Sequence, residues 1–296
     1  MSRVISLVND IEADAFALQA GYFDIFREST DSETIWFIDT SVGNRIFNGL
    51  HYNQGVEVAG GGWNGFSTLA EYYDLFEGDP NINVPGSGQE ERRGFVPLSG
   101  TPFTGEPGTT DFEGNEAGSN VGFGFLIGQQ YAQDGSPLSD RPGNPLFFRR
   151  DFTDGTGASN LISNDENTGI RVMKYNPRYG GFTAHEIFFR YSDAHLMRAE
   201  AMMRSGGDPT AEVNELRILR QASPIGSVTE QDILDERGRE LYAEFWRRND
   251  MIRFGQFTRD WELKDPSTVG DVNRNLFPIP TVQITANPNL TQNPGY

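Results

Sequence analysis

Residues 236–255 read ERGRELYAEFWRRNDMIRFG, and the rest of the chain is best read outward from them. Glu236, Glu240, Glu244 and Arg248 fall four apart, which places them in one stripe of a helix. Arg237, Leu241 and Phe245 form the adjoining stripe, so charged groups border the apolar face. Thr229 followed three residues later by Asp232 predicts a capping box that opens this helix, with the helix running on to Phe254. Like charges at i,i+4 cost about 0.2–0.5 kcal/mol per pair unless cations intervene, and Arg237, Arg239, Arg247, Arg248 and Arg253 are placed to do so. The stretch therefore predicts a semi-buried ionic network of Glu236, Arg237, Glu240, Glu244, Arg248, Asp250 and Arg253 that pins the helix to its neighbours. The same carboxylates offer a pair for acid/base hydrolysis of glycosides. Arginines, however, lower a carboxyl pKa, the wrong direction for a general acid.

Helical spacing also marks the chain upstream. From Glu186, residues Phe189, Ser192, Leu196, Ala199 and Met203 recur on one face, with Ala194, Ala199 and Ala201 allowing close approach of a second helix. Gly206 and Gly207 stop that helix. Asp208-Pro209 opens the next, Ala211 to Arg220, which packs Val213 and Leu216. Two antiparallel helices joined by a tight turn form a tetratricopeptide-type unit, on which the 229–254 helix would stack. At the other end, Arg3 to Gln19 has Ile5, Val8, Ile11 and Ala15 on one side, with a stop at Gly21 and a short turn over Tyr22–Phe26. Thr34–Ile38 predicts a short buried strand with Trp36 in the core.

Between about Gly43 and Gly181 periodicity is lost. Ser67–Phe76 predicts one helix, while Gly122–Tyr131, Phe147–Phe152 and Ile170–Tyr175 are short extended candidates. A loop region this long in a compact chain carries function as a rule. The fold class is therefore mainly α: a tetratricopeptide-like helical scaffold with a large irregular, loop-rich insertion and few short strands. It reads as a single unit over 1–296, with a helical part at 1–42, a loop-rich ligand-facing segment at 43–185 and a helical part at 186–296.

Composition excludes several classes. A net charge of −18 argues against nucleic acid, which needs a basic face, and against docking on anionic lipid. With no cysteine, disulfides, thiolate metal sites and a cysteine nucleophile are ruled out. No apolar run is long enough to span a bilayer, and the first thirty residues lack the pattern of a signal peptide. Only Lys174 and Lys264 are lysines. An acidic, lysine-poor chain fits a surface protein from a salty habitat, and a high-GC genome explains the missing lysines equally well.

Four stretches together resemble the SusD/RagB family of outer-membrane nutrient-binding lipoproteins. They are RYSDAHLMRAEAMMRSG (Arg190–Gly206), the Glu236–Gly255 stretch, the closing Leu276–Tyr296 with its Phe-Pro-Ile-Pro and Gln-Asn-Pro-Gly-Tyr, and GGWNGFST (Gly61–Thr68) followed by EERRGF (Glu90–Phe95). The resemblance is strong over the C-terminal 110 residues and loose over the first thirty. It implies a non-catalytic cell-surface protein that captures oligosaccharides, or peptides, and hands them to a SusC-like TonB-dependent transporter of the outer membrane. It also implies a lipid anchor, a signal peptide and further helix pairs that this chain lacks, so the chain reads as an N-terminally truncated fragment.

Candidate ligand-binding residues lie in the loops: Tyr52, Trp63, Asn64 and Phe66. Aromatic faces stack on the apolar faces of sugar rings while amides bond hydroxyls, and the glycines around Trp63 allow a sharp turn that lifts the ring outward. The alternative is that Trp63 and Phe66 anchor the loop on the helical core. His51, His185 and His195 are too scattered for a metal or triad site, and His195 reads as a packed, hydrogen-bonded histidine. Asp79–Asn83 mimics a calcium loop but has Val84 where glycine is required; Asp151, Asp154 and Asn164–Asn167 offer calcium ligands in a loop, with a solvated turn the better reading. No cofactor or metal is expected. The competing functional classes are a glycoside hydrolase using the helix carboxylates and a helical-repeat adaptor that binds only proteins.

Overall fold

A computed structural model describes residues 1–26, 30–39, 49–54, 62–83, 88–96, 122–132, 135–152, 161, 164–175 and 185–296. Helix α1 (Ser2–Ala13) packs Val4, Val8 and Ile11 against Tyr191 and Ala194. It stops at Asp14, with Ala15 in the left-handed region (φ 70°), well short of the expected stop at Gly21. A single 3-10 turn, Tyr22–Phe26, follows. Strand β1 (Thr34–Asp39) pairs antiparallel with β7 (His185–Arg190), so the Glu186–Arg190 stretch expected to be helical is a strand and the helix proper begins at Tyr191. Tyr191 N donates to Glu33 O, which ties the start of the helix to the segment leading into β1.

Helices α3 (Tyr191–Arg204) and α4 (Thr210–Leu219) form the predicted antiparallel pair around the Gly206–Gly207 turn. Helix α5 (Glu230–Glu240) packs onto that pair through Ala199, Val213, Val228 and Ile233. Its capping box is formed: Thr229 accepts from the Asp232 backbone and Asp232 from the Thr229 backbone, a device worth about 1 kcal/mol. The helix does not continue to Phe254. It ends at Glu240, turns through Ala243 (φ 56°) and Phe245 (φ 71°), and resumes as α6 (Arg247–Arg253). The physical reason lies in the carbonyls. Glu240 O accepts from Tyr22 Oη (2.6 Å), an Arg190 guanidinium nitrogen (2.6 Å) and Lys174 Nζ (3.2 Å), and Tyr242 O accepts from Lys174 Nζ (2.9 Å). With these acceptors engaged by buried donors from other segments, the turn is satisfied without the next helical bonds.

The loop-rich part contributes α2, only Ala70–Tyr73 rather than the whole of Ser67–Phe76, and short strands. Strands β2 (Gly94–Phe95), β3 (Phe123–Leu126) and β6 (Arg171–Met173) form one sheet, and β4 (Gly128–Gln129) pairs with β5 (Phe147–Phe148). Their hydrophobic core of Tyr73, Phe76, Phe125, Ile170 and Tyr175 is continuous with Tyr22, Phe26 and Tyr242. One final short helix, α7 (Thr281–Ala286), lies in the largely irregular end. Among the described residues no helix is long and apolar enough to cross a membrane.

Trp36 is not in the core. It is 49% exposed and stacks on Phe189, which stacks in turn on Trp246. Among the described residues β1 has β7 as its one partner strand, and a register irregularity around Trp36 turns the ring onto that open ribbon.

Candidate functional site

Two sets of residues were singled out by sequence, and the structure places them very differently. The helix carboxylates lie inside the scaffold. Six cations, Arg92, Lys174, Arg190, Arg217, Arg220 and Arg239, face six carboxylates, Glu33, Glu77, Glu90, Glu236, Glu240 and Glu244, in one connected set of ion pairs. Glu240 is the hub, within 2.7 Å of Arg190, 2.9 Å of Arg220 and 3.2 Å of Arg92. Glu236 takes Arg92, Arg217 and Arg239 at 2.6–2.8 Å. Glu244 receives Arg190 (2.8 Å) and Lys174. Arg237 lies in a neighbouring chain of pairs, with Asp193 (2.7 Å) and Asp250 (2.9 Å), and Asp250 is shared with Arg253 (2.8 Å).

Arg248 stands apart from all of these. It donates to the carbonyls of Arg274 and Asn275 and lies over the Phe277 ring, so it fastens the C-terminal segment rather than a carboxylate. Because α5 ends at Glu240, residue 248 leaves the stripe that a continuous helix would have given it.

Burial raises the pKa of Glu236, Glu240 and Glu244, and the surrounding cations more than reverse it, whereas at Glu90 burial prevails and the pKa is raised. Arg92, Arg239 and Arg217 hold Glu236 at about 2, and Arg220, Arg190 and Arg92 hold Glu240 well below the ordinary carboxylate range. Glu244 is lowered by Arg190 and Lys174. None of Glu236, Glu240 and Glu244 can deliver a proton near neutrality. Lys174, for its part, is pushed down to about 7 by burial against the pull of Glu244.

The loop residues are on the surface. Tyr52 is 41%, Trp63 54% and Phe66 61% exposed. Two chain segments hold them side by side: Gly62 N donates to His51 O (3.0 Å) and Asn64 N to Leu50 O (2.7 Å). A Cβ on residue 62 would lie 2.2 Å from Leu50 O, so glycine is required for this close approach. Asn64, with φ 54°, faces inward. Its Oδ1 accepts from Arg171 Nε (3.1 Å) and Nη2 (2.7 Å), and its Nδ2 donates to Glu166 O (3.2 Å). Arg171 is buried, also donates to the carbonyls of Thr168 and Gly169, and lies over the Phe148 ring.

Glu166 completes the frame. It meets His51 Nε2 at 2.9 Å and accepts from the Arg141 backbone (3.0 Å) and guanidinium. Against its desolvation, these contacts hold its carboxyl at about 2. The Arg141 guanidinium in turn lies 4.0 Å above the Tyr52 ring. Sequence reading missed His51 as a positioning group, placed Glu166 only within the Asn164–Asn167 turn, and missed Arg141 and Arg171 as site residues. They sit in stretches without periodicity, and the one available signal was an arginine and a glutamate isolated among turn residues.

The metal candidates resolve into guanidinium sites. His195 Nε2 donates to Glu212 O (2.8 Å), and Arg198 donates to Glu212 Oε2 (3.0 Å) beside His195 Nδ1. Arg198 thus fills the position a cation would take in the His195–Glu212–Glu215 group. Over Asp79–Asn83 it is Arg93 that donates to the carbonyls of Asp79 and Ile82, the kind of oxygens a calcium ion would use. Val84 and Asp154 lie outside the described residues, as does the side chain of His185.

The architecture is a tetratricopeptide-like helix-pair scaffold, locked by buried ion pairs, that carries a loop-borne aromatic surface. The chain belongs to the SusD family, whose model matches residues 32–296. It is 43% identical over 115 residues to the starch-binding protein SusD of Bacteroides thetaiotaomicron, covering 36% of this chain and 21% of that protein. Among solved structures it is similar to a SusD-like protein from Bacteroides fragilis (TM-score 0.63, 18% identity, 99% of this chain and 61% of that one). A second is the surface glycan-binding protein A from Bacteroides uniformis (TM-score 0.59, 15% identity, 99% and 56%). These likenesses show the fold. The chain spans about a fifth of its curated relative and 56–61% of these two structures.

Proposed function

We propose that this chain binds oligosaccharides on the surface formed by Tyr52, Trp63, Asn64 and Phe66, makes or breaks no bond in them, and presents them to a SusC-like TonB-dependent transporter at the outer face of the outer membrane. The observation that carries the reading is the exposure of three aromatic rings on loops whose backbones are held by the buried Arg171 and the Glu166 frame. Exposed rings are costly to leave in water, and a rigid, pre-ordered platform loses little entropy when a sugar ring stacks on it. Carbohydrate is favoured over peptide by the names of the starch-binding and glycan-binding relatives. A non-catalytic role is supported by the scaffold glutamates, which are arginine-bound and low in pKa, the reverse of a glycosidase acid.

The test is a titration of tryptophan fluorescence with a panel of oligosaccharides and peptides, with each endpoint chromatographed for cleavage. Saturable binding of an intact oligosaccharide is expected. Trp63→Ala should weaken it at least about tenfold, the loss typical of a truncated hot-spot aromatic. Cleavage products would restore the hydrolase reading. A folded chain that responds to no saccharide would favour the protein-only adaptor.

A further inference from the structure

A second concavity lies on the scaffold, between α2, α5, α6 and the turn at 256–261. It encloses about 580 Å³, within the range of small-molecule sites. Its apolar walls are Tyr72, Leu75, Met251, Phe257 and Trp261. The Tyr72 hydroxyl is committed to Gly238 O, and Phe257 and Trp261 meet edge to face at 6.0 Å.

The polar groups of the lining decide what can enter. Glu71 is occupied by Arg259 (2.6 Å) and Glu262 N (2.9 Å), Asp235 by Gln231 (2.9 Å), and Arg248 by two backbone carbonyls. A sugar needs many open donors and acceptors, and these charged groups are already partnered. Arg247 differs from the others. Among the described residues its guanidinium makes one hydrogen bond, to Leu234 O (2.7 Å), and its nearest carboxylate, Asp235, stands 3.9 Å away. Most of its five N–H donors remain open at the wall of an aromatic cavity. Gly238 makes this position possible, since a Cβ there would lie 2.6 Å from Arg247 Nη1. A glycine inside α5 weakens the helix, and here it lets the guanidinium lie against it.

We propose that this cavity is a ligand site for a carboxylate with an aromatic or branched aliphatic body: the body fills the space between Tyr72, Met251, Phe257 and Trp261, and the carboxylate pairs with Arg247. Two sources share that chemistry, a free aromatic acid and the C-terminal residue of a peptide.

The experiment is calorimetric titration of the whole chain with phenylacetate and phenylacetamide, and in parallel with Gly-Phe and its C-terminal amide. At least one acid should bind roughly tenfold or more tighter than its amide, the worth of a hydrogen bond to a charged group. Which acid does so identifies the source. Arg247→Met should remove the preference, and Gly238→Ala, which displaces the guanidinium, should reduce it. Arg247→Lys, which keeps the charge but not the planar fork, should retain part of it, and circular dichroism checks that each variant folds. Trp63→Ala should leave this binding unchanged, which separates it from the loop surface. Equal affinity for acid and amide, binding by neither acid, or a preference that survives Arg247→Met in a folded protein would overturn the proposal.

Discussion

Replacing Glu240 by glutamine removes one charge and almost no volume at the centre of the scaffold. Glu240 is fully buried, and its carboxylate serves three guanidinium groups. Glu240→Gln removes the negative charge that Arg92, Arg190 and Arg220 share and leaves their buried positive charge less compensated. Arg92 keeps Glu90 and Glu236, and Arg190 keeps Glu33 and Glu244. Among the described residues Arg220 keeps one carboxylate, Glu33 at 3.2 Å, and the carbonyl of Gln19. The glutamine amide must also turn its own N–H groups toward some of these donors. Breaking a buried pair in this way costs about 3–5 kcal/mol, a large share of the roughly 5–15 kcal/mol that holds a domain folded. At about 2–4 °C per kcal/mol, the melting point should drop by roughly 6–20 °C. Thermal and urea unfolding at neutral pH, followed by circular dichroism, measures it. Asp74→Asn is the control, because its pair with Arg150 is exposed and such pairs are worth under about 1 kcal/mol. If Glu240→Gln matched that control, the network would contribute no more than a surface pair, and the scaffold would owe its order to apolar packing alone.

Stability should depend on pH with two limbs of opposite origin. Glu236, Glu240, Glu244 and Glu200 have folded pKa values below the ordinary 4.5, Glu236 at about 2. Their contribution is therefore complete above pH 4.5 and is lost as pH falls from there toward 2, read as a steep fall in the urea midpoint. Glu90 and Asp193, raised by burial, act in the opposite sense, upward in pH from their unfolded values of 4.5 and 3.8. Lys174 is lowered to about 7 from 10.5, so the unfolded chain binds more protons between those values and stability should rise with pH across them; Lys174→Met should flatten that rise. Asn64→Ala takes the acceptor from buried Arg171, at a cost of about 1–3 kcal/mol. It should weaken oligosaccharide binding as well as lower the melting point, and unchanged binding would separate the loop from the ligand.

The scaffold was legible where its signal is local. Four-residue spacing, the Thr229–Asp232 capping box and the Gly206–Gly207 turn each report on backbone a few residues away, and the helix starts and the turn they marked are present, though the last helix is broken after Glu240. Spacing could not supply the partners of the glutamates. Arg92, Lys174 and Arg190 come from strands, turns and loop ends far away in the chain. Nor could it show the break after Glu240, because Leu241 and Phe245 continue the pattern while tertiary donors take the carbonyls. Trp36 misled for a related reason: an apolar run reports strand propensity, but burial depends on whether a second layer covers it.

The same distinction explains the loop surface. Trp63 stood out because glycines flank it, yet nothing local marked Arg141, Glu166 or Arg171, whose roles exist only once the loops meet. Buried ion pairs often stabilise no better than apolar packing, so their use here calls for another reason. Among its described residues the loop-rich segment has short strands and few helices to fix it, and charged ties that fit one geometry can hold such segments in a single arrangement. Strand β6 and the residue after it illustrate this. Arg171 clamps Asn64 beneath the exposed aromatics, and three residues on Lys174 is bound to Glu244 and to the carbonyls that end α5. A stretch that reads only as a short extended run therefore joins the ionic network of the scaffold to the surface proposed to meet the ligand.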